Sequence, residues 1–250
     1  IKIMQGVLTL SRIVWAITGS GSFLRELAEL FIKFRSVCSD LEVAVALSCA
    51  GKEVSRIYGV LDKLQYIASD TRYGGFYIDQ GPASWLPLLG RVSLRRYDMV
   101  IVAPATSNTV AKIVHGIADT LVTALVSQAL KSNTLVIILP SDYAEVSITE
   151  LPCRIDVNHC IKCYNCLSEN FCYYNAIEIS GGYPMINYTK CHGCGKCMLK
   201  CPYGAIKCWE TISLRPSQED LNNTLRLQKI RGILVVTSTA EIIKKIKHFL

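Results

Sequence analysis

Between Cys160 and Cys201 the chain places eight cysteines in two tandem runs, Cys160-x2-Cys163-x2-Cys166-x5-Cys172 and Cys191-x2-Cys194-x2-Cys197-x3-Cys201, the second followed at once by Pro202. Thiolates at i, i+3 and i+6 of a short loop can wrap three corners of a cubane cluster, while the fourth sulfur of each run points away and serves the other cluster. On this reading Cys160, Cys163 and Cys166 pair with Cys201, and Cys191, Cys194 and Cys197 pair with Cys172. Two [4Fe-4S] clusters in so short a segment make one-electron transfer the theme of the chain. The runs are halves of a repeat, because Tyr173-Tyr174-Asn175-Ala176-Ile177 after the first echoes Pro202-Tyr203-Gly204-Ala205-Ile206 after the second.

Zinc is the competing ligand chemistry, but tetrahedral zinc sites use two separated Cys-x2-Cys pairs. Three cysteines within seven residues crowd too many thiolates around one such ion. A disulfide scaffold fits no better: the N-terminal apolar stretch carries an early lysine and is interrupted at Ser11 and Arg12, unlike a secretory leader. The expected setting is cytoplasmic and reduced. The segment resembles the two-cluster bacterial ferredoxins. Its second run matches their motif throughout, while its first has two extra residues near Glu169 and Asn170 and carries Tyr173 where a proline is expected. Cys38, Cys49, Cys153 and Cys208 lie outside the pattern and read as small buried hydrophobes.

The 250 residues suffice for one good core and a small module. Half of them are hydrophobic, yet no apolar run approaches the roughly 20 residues that span a bilayer, so the apolar content belongs to a globular interior. A net charge of +7 is moderate and scattered, with Lys244, Lys245 and Lys247 reading as a solvated helix face. The basic stripe with interleaved aromatics that a nucleic-acid binder needs is missing.

Strand-like and helix-like stretches alternate through the first 140 residues. Arg12–Thr18 is an apolar run ending in Gly19-Ser20-Gly21-Ser22, and Phe23–Phe34 has helical spacing. Glu42–Leu47 reads as a second strand and Glu53–Leu64 as a helix. Ala68–Arg91, with glycines, prolines and aromatics but no period, reads as a long functional loop. Asp98–Ala103 is a third strand that turns through Pro104–Thr109 into a helix stopping at Gly116, and Asp119 reads as the cap of a helix from Thr120 to Leu130. Leu135–Leu139 is a fourth strand. After the cysteine segment Gln218–Lys229 looks helical, Ile233–Thr237 is a β-branched strand and Ala240–Phe249 a terminal amphipathic helix. A last βα unit cannot bury its apolar face alone, so it must rejoin the first sheet. The expected fold is therefore α/β, a doubly wound parallel sheet of flavodoxin or Rossmann type. Residues 1–152 and 211–250 make one domain, and 153–210 form an inserted α+β cluster module.

In such sheets ligands bind outside the carboxyl ends of the strands. Three of those ends here are rich in hydroxyls and small residues: Thr18, Gly19, Ser20, Gly21 and Ser22; Ser48; and Ala105, Thr106, Ser107, Asn108 and Thr109. The first loop leads into a helix N-terminus suited to a phosphate. It lacks the dinucleotide fingerprint, because Leu24 stands where a third glycine is needed and Ser48-Cys49, not an acidic residue, ends the second strand. A mononucleotide fits better than NAD. Beside iron–sulfur clusters that mononucleotide is FMN, since a flavin can exchange single electrons and then deliver a hydride.

Ile17–Gly21, Leu47–Val54 and Val102–Ile113 with Gly116–Asp119 closely resemble the archaeal flavoproteins of the homo-oligomeric flavin-containing Cys-decarboxylase superfamily, one branch of which contains the acceptor-dependent dihydromethanopterin reductases. The resemblance covers nearly all of 12–142 and resumes at 220–246. It implies that the first loop holds the FMN phosphate, that Ala105–Thr109 meets the flavin, and that the flavin lies at a subunit boundary of a trimer-based homo-oligomer. It also raises decarboxylation as a rival, but the long loop contains no histidine, and Pro140-Ser141-Asp142 stands where those enzymes carry an asparagine motif. His115 reads as a packing or capping residue. The expected reaction passes electrons from a soluble ferredoxin or other donor through two clusters to FMN, reducing a dihydropterin to its tetrahydro form. A relay between ferredoxin and a partner enzyme is the alternative. Asp142, Tyr73 and Lys112 are the candidate proton donors, with turn formation and solvation as their ordinary roles.

Overall fold

The protein is described by a computed structural model over residues 11–38, 40–68, 71–163 and 166–249. Residues 1–10, on which the reading of the N-terminal stretch rests, lie outside the described residues, as do 69–70 of the expected loop.

The chain begins with β1 (Ser11–Ile17), α1 (Leu24–Val37), β2 (Leu41–Leu47), α2 (Cys49–Ile57), α3 (Leu61–Ile67), β3 (Gly75–Ile78) and α4 (Pro82–Ser93). It continues through β4 (Met99–Ala105), α5 (Ser107–Val114), α6 (Leu121–Lys131) and β5 (Leu135–Pro140). The cysteine segment follows as β6 (Ser147–Glu150), β7 (Arg154–Ile155), α7 (Leu167–Asn170), β8 (Ile177–Ser180), β9 (Tyr183–Ile186), α8 (Lys196–Lys200), β10 (Ile206–Lys207) and β11 (Thr211–Leu214). It closes with α9 (Gln218–Leu227), β12 (Ile233–Val235) and α10 (Thr239–Phe249).

The main sheet has the order β12-β5-β4-β1-β2-β3, every neighbouring pair parallel. The winding reverses between β1 and β4, and there the loops at the carboxyl ends diverge to opposite faces and leave a crevice. Helices cover both faces, which is why β2 and β4 are buried along their whole length. On one face Trp15 stacks on Phe31 of α1, centroids 4.1 Å apart, and its indole N–H donates to the Ala103 carbonyl at 2.7 Å. Burying a side chain of this size is worth roughly 3 kcal/mol, provided that its polar tip is paired. The other face seats Leu121, Leu125 and Ala129 of α6 with Leu88 and Val92 of α4.

Three sequence expectations are corrected here. The helix expected over Glu53–Leu64 is two helices, because Gly59 takes φ +70 and breaks the ladder between α2 and α3. The long loop expected over Ala68–Arg91 holds β3 and α4. β3 is an edge strand whose residues are all half-buried, so no alternation shows, and α4 tolerates Pro82 because its first turn needs no amide hydrogen. Asp119 does not cap α6. Thr120 does, in a reciprocal capping box with Thr123, while Asp119 pairs with Lys112 at 2.8 Å.

The cysteine segment leaves and rejoins the sheet domain through an antiparallel ribbon of β6 and β11, in register from Ser147 opposite Leu214 to Glu150 opposite Thr211. Beyond the ribbon lie the β7/β10 pair and the β8/β9 hairpin. That hairpin turns through Gly181 and Gly182, both at positive φ as a two-residue turn requires. Among the described residues no helix is long and apolar enough to cross a membrane.

Candidate functional site: a crevice at the switch point and two thiol quartets

β1 and β2 end level with each other, Ile17 opposite Leu47, so Thr18 and Ser48 emerge side by side. Thr18 ties its loop to the end of β4: its hydroxyl donates to the Pro104 carbonyl at 2.8 Å and accepts from the Thr106 amide at 2.9 Å. Ser48 caps α2 by accepting from the Gly51 amide, and Thr106 caps α5 by accepting from the Thr109 amide. α1 instead follows Phe23, which is in the left-handed region and offers no side-chain cap, and this leaves amide hydrogens at the helix start for an anion.

The loops enclose a crevice with two lobes. The first, about 340 Å³, is lined by Gly19–Ser22, Thr106–Asn108, Ser141 and Asp142, with Ser147, Thr149 and Leu214 of the ribbon. The second, about 400 Å³, is lined by Thr18, Gly19, Ser48, Cys49, Ala50, Asp79, Thr106, Asn108, Thr109, Lys112, Thr120 and Val122. Asn108 is exposed and borders both. Ala105 borders neither: its side chain is in the core and its carbonyl accepts from the Ser141 amide at 2.8 Å.

The glycines of the first loop answer to packing. A Cβ on Gly19 would stand 2.7 Å from that of Ala50, and one on Gly21 2.3 Å from the Tyr58 ring. Gly51 likewise lets α2 lie against the Ile17 carbonyl, 2.4 Å from where its Cβ would be. Close approach of the strand ends and α2 is thus written into the glycines.

Of the candidate proton donors, Asp142 borders the first lobe, where it accepts from Ser107 and Ser141, and Lys112 borders the second, paired with Asp119. Tyr73 is elsewhere, a correction: it carries the Arg12 guanidinium over its ring and accepts from the Tyr97 hydroxyl, beside the N-terminal end of β1. It leads into β3, so it stands at the end of the sheet opposite the crevice. His115 is exposed at the far end of α5, and its backbone amide caps the last turn. Sequence reasoning missed Asp79. It is 9% exposed and accepts from the Trp85 indole at 2.7 Å and the amides of Gly81 and Leu121 at 3.2 and 3.0 Å, joining β3, α4 and α6 under the second lobe. The ribbon residues Ser147 and Thr149 were also missed; no local motif marks them.

The cysteines gather in two groups. Cys160, Cys163, Cys166 and Cys201 surround a cavity of about 240 Å³ walled by Ile155, Ile161, Ile179, Pro184, Pro202 and Ile206. Cys172, Cys191, Cys194 and Cys197 surround a tighter one of about 20 Å³, together with Cys153. Each group takes three thiols from one run and the fourth from the other. Burial, reinforced by neighbouring thiols, pushes Cys197 up to about 11 and raises Cys191. Thiolates there need bound positive charge to offset their desolvation. The second loop is seated on the sheet domain: Arg56 donates to the carbonyls of Cys191 and, at 2.9 Å, Tyr188.

The remaining cysteines depart from the reading as buried hydrophobes. Cys49 is exposed at the start of α2 and its thiol donates to the Asp79 carbonyl at 3.2 Å. Cys38 is half-buried against the core. Cys153 and Cys208 are buried but disulfide-linked, because antiparallel pairing of β7 with β10 sets them opposite each other across 55 residues of sequence.

Comparison with known proteins agrees with this architecture. The Flavoprotein family matches residues 4–147 and the family described as 4Fe-4S binding domain matches 184–207. A dihydromethanopterin reductase (acceptor) of Methanosarcina mazei is 37% identical over 95% of this chain and 99% of its own. One of Methanocaldococcus jannaschii is 38% identical over 93% and 94%. Among solved structures, Burkholderia xenovorans DmrB in complex with FMN, described as a cubic protein cage for redox transfer, superposes with a TM-score of 0.61. It is 24% identical and covers 98% of this chain and 97% of its own, which establishes a shared fold.

Proposed function

The chain belongs to the flavoprotein family, as an iron–sulfur flavoprotein reductase alongside the dihydromethanopterin reductases (acceptor), and we propose that it passes electrons through two [4Fe-4S] clusters to FMN and on to a dihydropterin. The observation that carries this reading is the crossing of the two thiol quartets on a segment whose stem walls the crevice. The donor sets fit the groups: four thiols to each cluster inside apolar walls, and for FMN a hydroxyl-lined crevice beside an uncapped helix start. Cys160, Cys163, Cys166 and Cys201 hold one cluster, and Cys172, Cys191, Cys194 and Cys197 the other. Thr18–Ser22 receive the FMN phosphate, with Ser48 and Thr106–Thr109 facing the rest of the molecule.

FMN bound there supplies the exchange between single electrons and a hydride. The chain's own residues orient and shield. The tie between Thr18 and Thr106 fixes the width of the crevice, and Asp79 holds its floor rigid. Lys112, at the second lobe, and Asp142, anchored by Ser107 and Ser141 at the first, remain the groups placed to move a proton to a planar substrate stacked in the crevice. The second lobe is bordered by the exposed Asn108, and a second copy of the chain in a trimer-based assembly would cover it. A soluble ferredoxin or similar one-electron donor is the expected source of electrons. The deciding experiment photoreduces the isolated protein and adds dihydropterin. Flavin oxidation with tetrahydropterin formed in proportion is the expected result, and a flavin that stays reduced until a partner protein is added would make the protein a relay.

A further inference from the structure

A disulfide stands beside the second thiol quartet. Cys153 directly precedes β7 and Cys208 directly follows β10, and their sulfurs lie within 4.8 Å of each other and of the Cys197 sulfur. Cys153 also lines the cavity of that quartet. Packed around the bridge are the apolar residues Ile155, Ile177, Ile186, Ile206, Met198 and Trp209. Cys153 is 1% and Cys208 8% exposed.

From this geometry we infer that Cys153–Cys208 is a redox-active disulfide, reduced through the adjacent cluster; the inference rests on the proposed function, which places a cluster on Cys172, Cys191, Cys194 and Cys197. The bridge takes up two electrons, one after the other, and two protons from solvent; the Sγ–Sγ bond breaks and two thiols form. The reductant is the reduced cluster, refilled singly by the external donor. Reoxidation returns both electrons along the same route and releases both protons.

Burial disfavours the usual alternative. Thiol–disulfide exchange needs a thiolate to attack a sulfur directly, and residues 1% and 8% exposed leave a small dithiol in solution little path to one. Electrons need no such path, because the bridge is in near contact with a cluster ligand. The pair would hold two electrons beside centres that carry one each.

The test uses the holoprotein, anaerobically loaded and oxidised, with Cys153 and Cys208 followed by acid quench, alkylation and mass spectrometry. The bridge should be present at the start and should open under deazaflavin photoreduction at least on the order of tenfold faster than under dithiothreitol. The Cys172→Ala variant should lose that advantage. A Cys153→Ser/Cys208→Ser variant should take about two fewer electron equivalents per chain in a reductive titration, with iron and sulfide unchanged. Free thiols in the oxidised protein, or equal opening with and without the second cluster, overturn the inference. Iron and sulfide analysis of the same samples separates the cases: a full cluster complement with free thiols sinks the disulfide alone, and a missing second cluster sinks the proposed function with it.

Discussion

Gly59 and Gly193 meet backbone to backbone, with the Gly193 carbonyl oxygen 2.5 Å from where a Cβ on Gly59 would stand. Gly193 lies between Cys191 and Cys194, so the loop of the second quartet is pressed onto the turn between α2 and α3. A methyl group on Gly193 would sit 2.1 Å from the Ile57 carbonyl oxygen, at φ +57. Gly193→Ala should therefore cost about 2–4 kcal/mol and selectively release the second cluster. Thermal denaturation and iron analysis should show a lower midpoint with the first cluster retained; an unchanged iron content would mean that the contact is not needed to hold the loop.

The crossed quartets separate two variants cleanly. Cys172→Ala should remove the cluster of the Cys191–Cys197 loop, and Cys201→Ala that of the Cys160–Cys166 loop, each leaving about half the iron. Loss of the cluster local to each mutated run, seen by electron paramagnetic resonance, would contradict the crossing.

Placing the phosphate requires a substitution that spares the packing of Gly21 against Tyr58. Ser20 meets this need: it lines the first lobe, and its Oγ accepts only from the Ser22 amide among the described contacts, a role that a carboxylate can keep. Ser20→Asp adds negative charge beside the expected phosphate and should weaken FMN binding by about tenfold to a hundredfold, with the clusters intact. Flavin fluorescence titration reads the change, and unaltered affinity would move the phosphate elsewhere.

Stability should fall at high pH through two buried phenols. Burial, with smaller contributions from neighbouring acidic groups, raises Tyr58 from 10.0 to about 12, and burial does the same for Tyr97. Their protonated forms are favoured by the fold, so the stabilisation is complete below about pH 10 and drains away as pH rises toward 12. The Tyr58→Phe/Tyr97→Phe protein should show a shallower loss of melting temperature over that interval. It should also be less stable at neutral pH by about 1–2 kcal/mol, having lost the hydrogen bonds to the Glu150 and Tyr73 carbonyls.

Asp79→Ala leaves the buried Trp85 indole and Leu121 amide and the half-buried Gly81 amide unpaired, and should cost about 3 kcal/mol or more by chemical denaturation. A near-neutral effect would mean that water replaces the carboxylate.

What was legible in the sequence was local. Three thiols of each quartet sit a few residues apart on one loop, so their spacing survives in the chain, and so do the long apolar runs of β1, β2, β4 and β5, because both faces of each are covered. β3 left no such trace, since an edge strand of four half-buried residues has no period, and Pro82, Pro87 and Gly90 disguise α4. Gly59 lies inside an apolar pattern that continues across it, so the break between α2 and α3 was invisible. Asp79 and the Cys153–Cys208 pair owe their surroundings to strand order, with partners up to 55 residues away.

The ribbon of β6 and β11 enters and leaves at the same point, and none of its residues belongs to the six-stranded sheet. Ser147 and Leu214 are already neighbours, so everything beyond them could be exchanged for a tight turn without breaking one hydrogen bond of that sheet. A flavin-binding fold of this kind can gain, lose or trade its electron-carrying attachment as a cassette, and natural selection can tune the attachment without disturbing the fold that carries it.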